Sequence, residues 1–325
     1  MRSATVGAML DRPTAVKPAA VHVVTVTYNS ASTIAEYFGG IEASAASIAG
    51  VTVIDNGSTD DTVARVRAAA ENASVPVEVF ENSNAGFAGG YLAASRSAMP
   101  RGLPVLCLNP DVALAPGAVP AMLDVLGSFP DAAVVTVPLV ERDGSPDTAS
   151  RRRLPTLGAS MVYSVLGRLT PATLRYNRRE GDPTVSRRTR AGTTATALQA
   201  TTGALMLVAP DFRSLDKGIF DSDYWMYGED LQLCADAAAA GRPVLMAEVA
   251  PSLHVKGVSS GRPRSLRSNR AFHEAMFRYA QKNLVRNGVA LALLRVAVIG
   301  HFLLSEVKAA PTRLRRIRAK PPGRF

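Results

Sequence analysis

Short runs of consecutive apolar residues alternate along this chain with stretches of helical periodicity. Val21 to Thr27 (VHVVTVT) is a β-branched run of the kind that forms a strand buried on both faces. Asn29 to Thr33 reads as a turn and helix cap, with a helix from about Ile34. Further strands are predicted at Val51 to Ile54, Val77 to Phe80, Val105 to Leu108 and Ala133 to Val137. Helices fall between them: Thr62 to Glu71 behind the cap Ser58-Thr59-Asp60, one from about Gly90 behind a Gly-rich turn, and one opened by Pro116. This alternation with short links predicts an α/β fold, with a Rossmann-like, mostly parallel sheet carrying helices on both faces. Ligands of such sheets sit beyond the carboxyl ends of the strands. Those ends carry Tyr28-Asn29, Asp55-Asn56, Asn84-Ala85-Gly86 and Asn109-Pro110-Asp111.

From about Gly144 to Ala195 the periodicity weakens, and the stretch is expected to be an excursion of loops and short helices at a substrate edge. A strand returns at Ala200 to Ala209, then a helix from Glu229 to Ala240 stopped by Gly241, and another from Arg270 to Asn283. Val289 to Leu304 is strongly apolar but interrupted by Arg295 and His301, which makes it short for a bilayer span. It suits either a helix at a membrane surface or one packed on the core. The chain therefore divides into a leader (1–20), a catalytic domain (21–265), a C-terminal helical extension (266–310) and a basic tail (311–325).

Charge sharpens this picture. Lys and Arg outnumber Asp and Glu by 37 to 27, a surplus of ten that implies an acidic partner. One basic cluster comprises Arg151, Arg152, Arg153, Arg175, Arg178, Arg179, Arg187, Arg188 and Arg190. A second fills the tail: Lys308, Arg313, Arg315, Arg316, Arg318, Lys320 and Arg324. The tail suits an anionic lipid surface, and the mid-chain arginines suit either an acceptor diphosphate or a solvated loop. A nucleic-acid partner is disfavoured, because aromatics make up only 6% and no recognition module is visible. Two cysteines, Cys107 and Cys234, lie in apolar runs without metal spacing and read as buried thiols.

Candidate chemistry gathers at four places. Asp111, after the strand ending at Leu108, is placed to hold a hard divalent ion that neutralises a leaving diphosphate; Asn109 and Asp111 also fit an Asx turn. In YWMYGEDLQLC, Glu229 and Asp230 open a helix, as a structural cap or as a general base for an attacking hydroxyl. Trp225, Met226 and Tyr227 would then wall a sugar pocket, or simply pack in the core. His254, in HVKGVSS, is a candidate further ligand for a Mn-like ion or an ordinary hydrogen-bonded histidine. The glycines of NAGFAGG would let backbone N–H groups approach phosphate or ribose.

In order along the chain, VTVTYN (24–29), VIDNGSTD (53–60), NAGFAGG (84–90), LNPD (108–111), TGA (202–204), FD (220–221), MYGED (226–230) and His254 resemble the family 2 glycosyltransferases, in particular their rhamnosyltransferase-like branch. The likeness spans about residues 21 to 260. It implies a GT-A fold and direct, inverting transfer from a nucleotide sugar, with dTDP-rhamnose favoured and UDP- or GDP-sugars open. Thr27, Tyr28 and Asn29 would border the nucleotide, and Asp55 would bond a pyrimidine N–H. Asn84, Gly86, Phe87 and Gly89 would shape the nucleoside and sugar-phosphate pocket. Asp111 and His254 would bind Mg2+ or Mn2+, with Asn109 replacing the first acid of the family's DxD motif. Asp230 would be the base and Glu229 would contact hydroxyls, with Thr202, Gly203, Trp225 and Tyr227 around the sugar or acceptor. The likeness extends to enzymes acting on polyprenyl-diphosphate-linked saccharides, which implies a cytoplasmic protein peripheral to the inner membrane face. Homodimer formation is left open. Two departures stand out: Gly218-Ile219-Phe220-Asp221-Ser222 lacks a glycine and an acid of the usual motif, and Gln232 replaces a second Asp.

Overall fold

The computed structural model describes residues 20–97, 99–156, 177, 184–212, 218–256 and 264–319, with side chains described as far as 312. Residues 1–19 of the leader, Arg175, Arg178, Arg179, Gly257, Ser259, Lys320 and Arg324 lie outside the described residues.

The predicted strands form the amino-terminal half of the sheet. β1 (Val21–Thr27) is buried at every position, as its unbroken β-branched run requires. It pairs in parallel with β2 (Ile48–Asp55) and with β4 (Val105–Leu108), and β3 (Val77–Glu81) pairs in parallel with β2. α1 (Ile34–Ala43), α2 (Thr62–Glu71) and α3 (Gly86–Ser97) are the intervening helices. β5 (Val112–Ala113) follows β4, and α4 (Ala118–Ser128) then begins behind a left-handed Gly117 rather than at Pro116.

The second half departs further from local pattern. β6 (Val134–Thr136) and β7 (Leu139–Val140) are followed by β8 (Ser186–Arg188), β9 (Thr194–Leu198) and β10 (Leu205–Val208). The stretch expected as loops and short helices therefore contributes strands, and the expected strand from Ala200 is confined to β10. After α5 (Glu229–Ala239) come β11 (Val244–Glu248) and β12 (Ser252–His254). The nine-stranded sheet has the order β3-β2-β1-β4-β10-β6-β11-β9-β8, with β5-β12-β7 as a small second sheet. β10 and β9 run against the other strands of the large sheet. One apolar cluster on each face, around Leu106 and Leu123 and around Cys107 and Phe220, packs helices against it. Both cysteines are buried and unpaired with each other.

α6 (Leu266–Asn283) and α7 (Gly288–Ala319) close the chain. Helix continues through Pro311 into the stretch expected to be a basic tail. Gly288–Thr312 forms 25 residues of helix, long and apolar enough to cross a membrane by length and composition, which corrects the expectation that the segment is too short. Arg295 lies within this helix, with its guanidinium 5.1 Å from the Phe277 ring centre on α6.

Candidate active site

Most of the residues singled out from sequence come together along the carboxyl edge of β1, β2 and β4. The sheet register sets Thr27 beside Asp55, and the Thr27 hydroxyl donates to Asp55 Oδ1 at 2.8 Å. Asp55 Oδ2 accepts N–H bonds from Gly57 (3.1 Å) and Ser58 (2.8 Å), and Ser58 Oγ donates to Oδ1 at 2.5 Å. A carboxylate accepts about four such bonds, so Thr27 and the Gly57–Ser58 loop take up the acceptor capacity of Asp55, which is 2% exposed. Asn29 sits at φ 50° and its side chain caps Thr59 N–H at 2.8 Å, leaving Tyr28 exposed at the edge.

NAGFAGG behaves differently from the expected phosphate turn. α3 begins at Gly86, so Gly86, Gly89 and Gly90 lie inside the helix. A methyl group on Gly90 would stand 2.7 Å from the Val26 side chain, and one on Gly89 2.7 Å from Ala85 Cβ. These glycines permit close packing of α3. Asn84 Oδ1 accepts Gly86 N–H at 3.2 Å, and Phe87 N–H donates to the Trp225 carbonyl at 2.8 Å. The buried Asn56, at the strand end next to Asp55, joins this group, its amide donating to the Gly86 carbonyl at 2.8 Å.

Asp111 and His254 are brought together by the small sheet, in which His254 pairs with Val112. His254 Nε2 lies 3.6 Å from Asp111 Oδ1. That is beyond a hydrogen bond but close to the ~3.0–3.4 Å between neighbouring ligands that bond lengths of about 2.1 Å on one ion imply. Asp111 Oδ1 and Asn109 Oδ1 are both buried without a hydrogen-bond partner. Neither therefore forms the Asx turn; the turn here is main chain, Val112 N–H to the Asn109 carbonyl at 3.1 Å. Two unpartnered buried acceptors two residues apart, beside His254, fit a site that can hold a cation. Among the described residues no three His, Cys, Asp or Glu side chains group as a metal site. The chain thus offers two ligands, and the remaining positions on an Mg2+- or Mn2+-like ion would fall to phosphate oxygens and water.

Sequence reasoning missed the residue behind this pair. Asp147, 1% exposed, accepts from His254 Nδ1 at 2.7 Å and from Lys256 Nζ. Burial opposes charge on Asp147, yet His254 and Lys256 outweigh it and hold the carboxyl at about 2. Burial likewise opposes the imidazolium of His254, but Asp111 and Asp147 push the ring up to about 9. Nothing local marks Asp147, which lies 107 residues from its histidine.

Glu229 and Asp230 open α5 behind the left-handed Gly228. Asp230 Oδ2 accepts from Arg152 Nη1 at 2.8 Å and from Gly203 N–H at 3.0 Å; Oδ1 accepts Leu231 N–H at 2.8 Å. Glu229 is buried with Oε2 unpartnered, and burial together with the Asp230 charge pushes its carboxyl up to about 8. Of the mid-chain arginines, Arg151 pairs with Glu248 and Arg152 with Asp230. Asn109 N–H donates to the Ala204 carbonyl at 2.9 Å, next to the Gly203 that holds Asp230, so the Asp111 and Asp230 sides share one edge. Thr202 is buried beside them. Tyr227, at φ 70°, turns its ring against Phe272 of α6, while Arg267 stacks over Trp225. Gln232, the second departure, is structural: it bonds Tyr224, Asp236 and Asn283.

This fold and edge-built site define a GT-A glycosyltransferase. A sequence model of glycosyl transferase family 2 matches residues 22–193, more than half of the chain, and the protein belongs to that family. The chain is 28% identical, over 74% of its length and 77% of the relative's, to the N-acetylglucosaminyl-diphospho-decaprenol L-rhamnosyltransferase of Mycobacterium tuberculosis. A Pyrobaculum calidifontis mannosyltransferase solved with GDP-Man and Mn2+ superposes with a TM-score of 0.51 at 18% identity, covering 97% of this chain and 81% of that one. Glucosyl-3-phosphoglycerate synthase from Mycobacterium tuberculosis, with Mg2+ and UDP, gives 0.51 at 16% identity over 83% and 81%.

Proposed function

We propose that this enzyme is an inverting, metal-dependent rhamnosyltransferase. It takes rhamnose from dTDP-rhamnose and places it on a hydroxyl of a polyprenyl-diphosphate-linked saccharide. The reading is carried by Asp111 and His254, with their stranded acceptor oxygen, standing on the same edge as the Asp230 carboxylate. The mycobacterial relative's name supports the sugar and acceptor class.

Asp111 and His254 would hold Mg2+ or Mn2+, which when bound supplies positive charge against the leaving diphosphate. Tyr28 and Asn29 border the nucleoside end, with Asp55 acting through the order of its loop. Asp230 accepts the proton of the acceptor hydroxyl as that oxygen bonds to the anomeric carbon. The carbon–oxygen bond to the diphosphate breaks in the same step, so the nucleoside diphosphate departs with the bonding pair and the sugar inverts. Glu229, kept neutral at moderate pH by burial, donates to a sugar or acceptor hydroxyl. Trp225, Tyr227, Phe87, Thr202 and Gly203 surround that pocket.

Outside the pocket, α7 offers Val289, Leu293, Val296, Ile299, Leu303 and Val307 to the surroundings, each at least half exposed. An apolar face of this extent in water is unfavourable. With the basic residues of its last turns it suits an anionic inner leaflet, where a lipid-linked acceptor resides. A thermal-shift panel of nucleotide sugars with Mn2+ tests the donor. The largest stabilisation is expected from dTDP-rhamnose; a response no greater than that to ADP removes the rhamnosyl assignment, and a larger one to a UDP- or GDP-sugar reassigns it.

A further inference from the structure

The stretch from Asp147 to Arg152 touches both halves of the site. At one end, Asp147 accepts from His254 Nδ1. At the other, five residues on, Arg152 donates to Asp230, the two side chains being 17% and 11% exposed. The chain between them is pinned throughout. Asp147 N–H donates to the Leu139 carbonyl at 2.8 Å, and its carboxylate caps Ala149 N–H in the short 3-10 turn Thr148–Ser150. The Thr201 hydroxyl holds the Ser150 carbonyl at 2.9 Å, and Arg152 exchanges main-chain bonds with Ala200 at 2.9 and 3.1 Å. Thr201 and Ala200 adjoin Thr202 and Gly203, so the same few residues anchor the segment and the base.

We propose that residues 147–152 are a positioning strap, with Asp147 fixing the ring of His254 and Arg152 fixing the carboxylate of Asp230. The proposal rests on the transferase reading above. With Nδ1–H bonded to Asp147, the ring is turned so that Nε2 faces Asp111, and a metal ion that displaced the Nε2 proton would find that nitrogen already oriented. A guanidinium stays charged at any working pH. Arg152 and Gly203 N–H together occupy both lone pairs of Asp230 Oδ2, while Leu231 N–H takes one on Oδ1. One lone pair of Oδ1 is left to meet an acceptor proton. Asp147 and Arg152 are therefore positioning residues that act through His254 and Asp230.

The test measures Mn2+ binding in the presence of dTDP, by electron paramagnetic resonance, alongside steady-state release of dTDP from dTDP-rhamnose. The proteins are wild type, Asp147→Ala, Arg152→Ala, Arg152→Lys and Asp230→Asn. Asp147→Ala is expected to weaken Mn2+ binding about 10- to 100-fold. Arg152→Ala is expected to leave Mn2+ affinity and donor KM unchanged while kcat falls at least about tenfold, and Arg152→Lys to recover part of kcat. Wild-type Mn2+ affinity in Asp147→Ala, or wild-type kcat in Arg152→Ala, overturns the strap. So does a loss of Mn2+ binding in Arg152→Ala equal to that in Asp147→Ala. Arg152→Lys carries the kcat arm if the alanine variant does not fold. Full turnover by Asp230→Asn overturns the base assignment instead, while the Mn2+ arm still decides the role of Asp147.

Discussion

A β-carbon on Gly86 would stand 2.0 Å from the carbonyl oxygen of Trp225, the same oxygen that accepts Phe87 N–H at 2.8 Å. The first turn of α3 and the loop before α5 thus meet backbone to backbone, joining the nucleotide side of the site to the aromatic wall. Gly86 also has φ +83°, a region that L side chains avoid. Gly86→Ala is therefore expected to cost about 2–4 kcal/mol, from strained backbone and overpacking together. Urea unfolding checks this; a change below about 0.5 kcal/mol would mean that the two segments do not press together.

Gln232 marks where stability and chemistry part. Its amide oxygen accepts from Tyr224 Oη (2.9 Å) and Asn283 (2.8 Å), and its NH2 donates to Asp236 at 2.7 Å, tying α5 to α6. Gln232→Ala is expected to lose about 2–3 kcal/mol through unpaired buried groups. Donor KM and kcat should stay near wild type. A selective loss of kcat would instead give this residue a part in the reaction.

Glu229 makes stability depend on pH in a determined direction. Burial and the Asp230 charge raise its carboxyl from 4.5 to about 8. Between those values the unfolded chain has released the proton and the folded chain has not, so stability falls as pH rises through this window. Glu229→Gln should remove that slope. The stability of the variant relative to wild type is expected to increase from pH 5 to pH 8 in denaturant titrations. A difference that stays flat would contradict a buried, neutral Glu229.

For α7, the full chain is expected to float with phosphatidylglycerol-rich vesicles and to be released by salt, each surface cation contributing about 1 kcal/mol. Val296→Glu with Leu303→Glu should abolish flotation, because both side chains lie on the uncovered face. Equal binding to neutral vesicles would count against an anionic surface, and an unaffected double variant against contact through this apolar face.

What could be read from the sequence follows how local the cause is. β1, α2 and β4 match their expected bounds, because an apolar run and a cap are short-range signals. Asp111 and His254 were candidate ligands by residue type and by family likeness, but the register of β12 against β5, which joins them, is not a local signal. The glycines of α3 resembled a turn because their cause, contact with Val26 and Trp225, lies far along the chain. The partners of His254 and Asp230 were hidden for the same reason: Asp147 and Arg152 lie in a stretch of weak periodicity whose order comes from Ala200, Thr201 and Leu139. The reach of α7 past residue 310 was also missed, since the cations from 311 onward read as a tail where the helix carries on.

The central claim is one cation on Asp111 and His254 facing a separate proton acceptor at Asp230. Calorimetric titration of dTDP-rhamnose with and without Mn2+, in wild type, Asp111→Asn and Asp230→Asn, tests it most directly. The expected result is Mn2+-dependent binding in wild type and Asp230→Asn, with at least about a tenfold loss in Asp111→Asn, or 1.4 kcal/mol or more by the usual conversion. Undiminished Mn2+-dependent binding in Asp111→Asn would contradict the account.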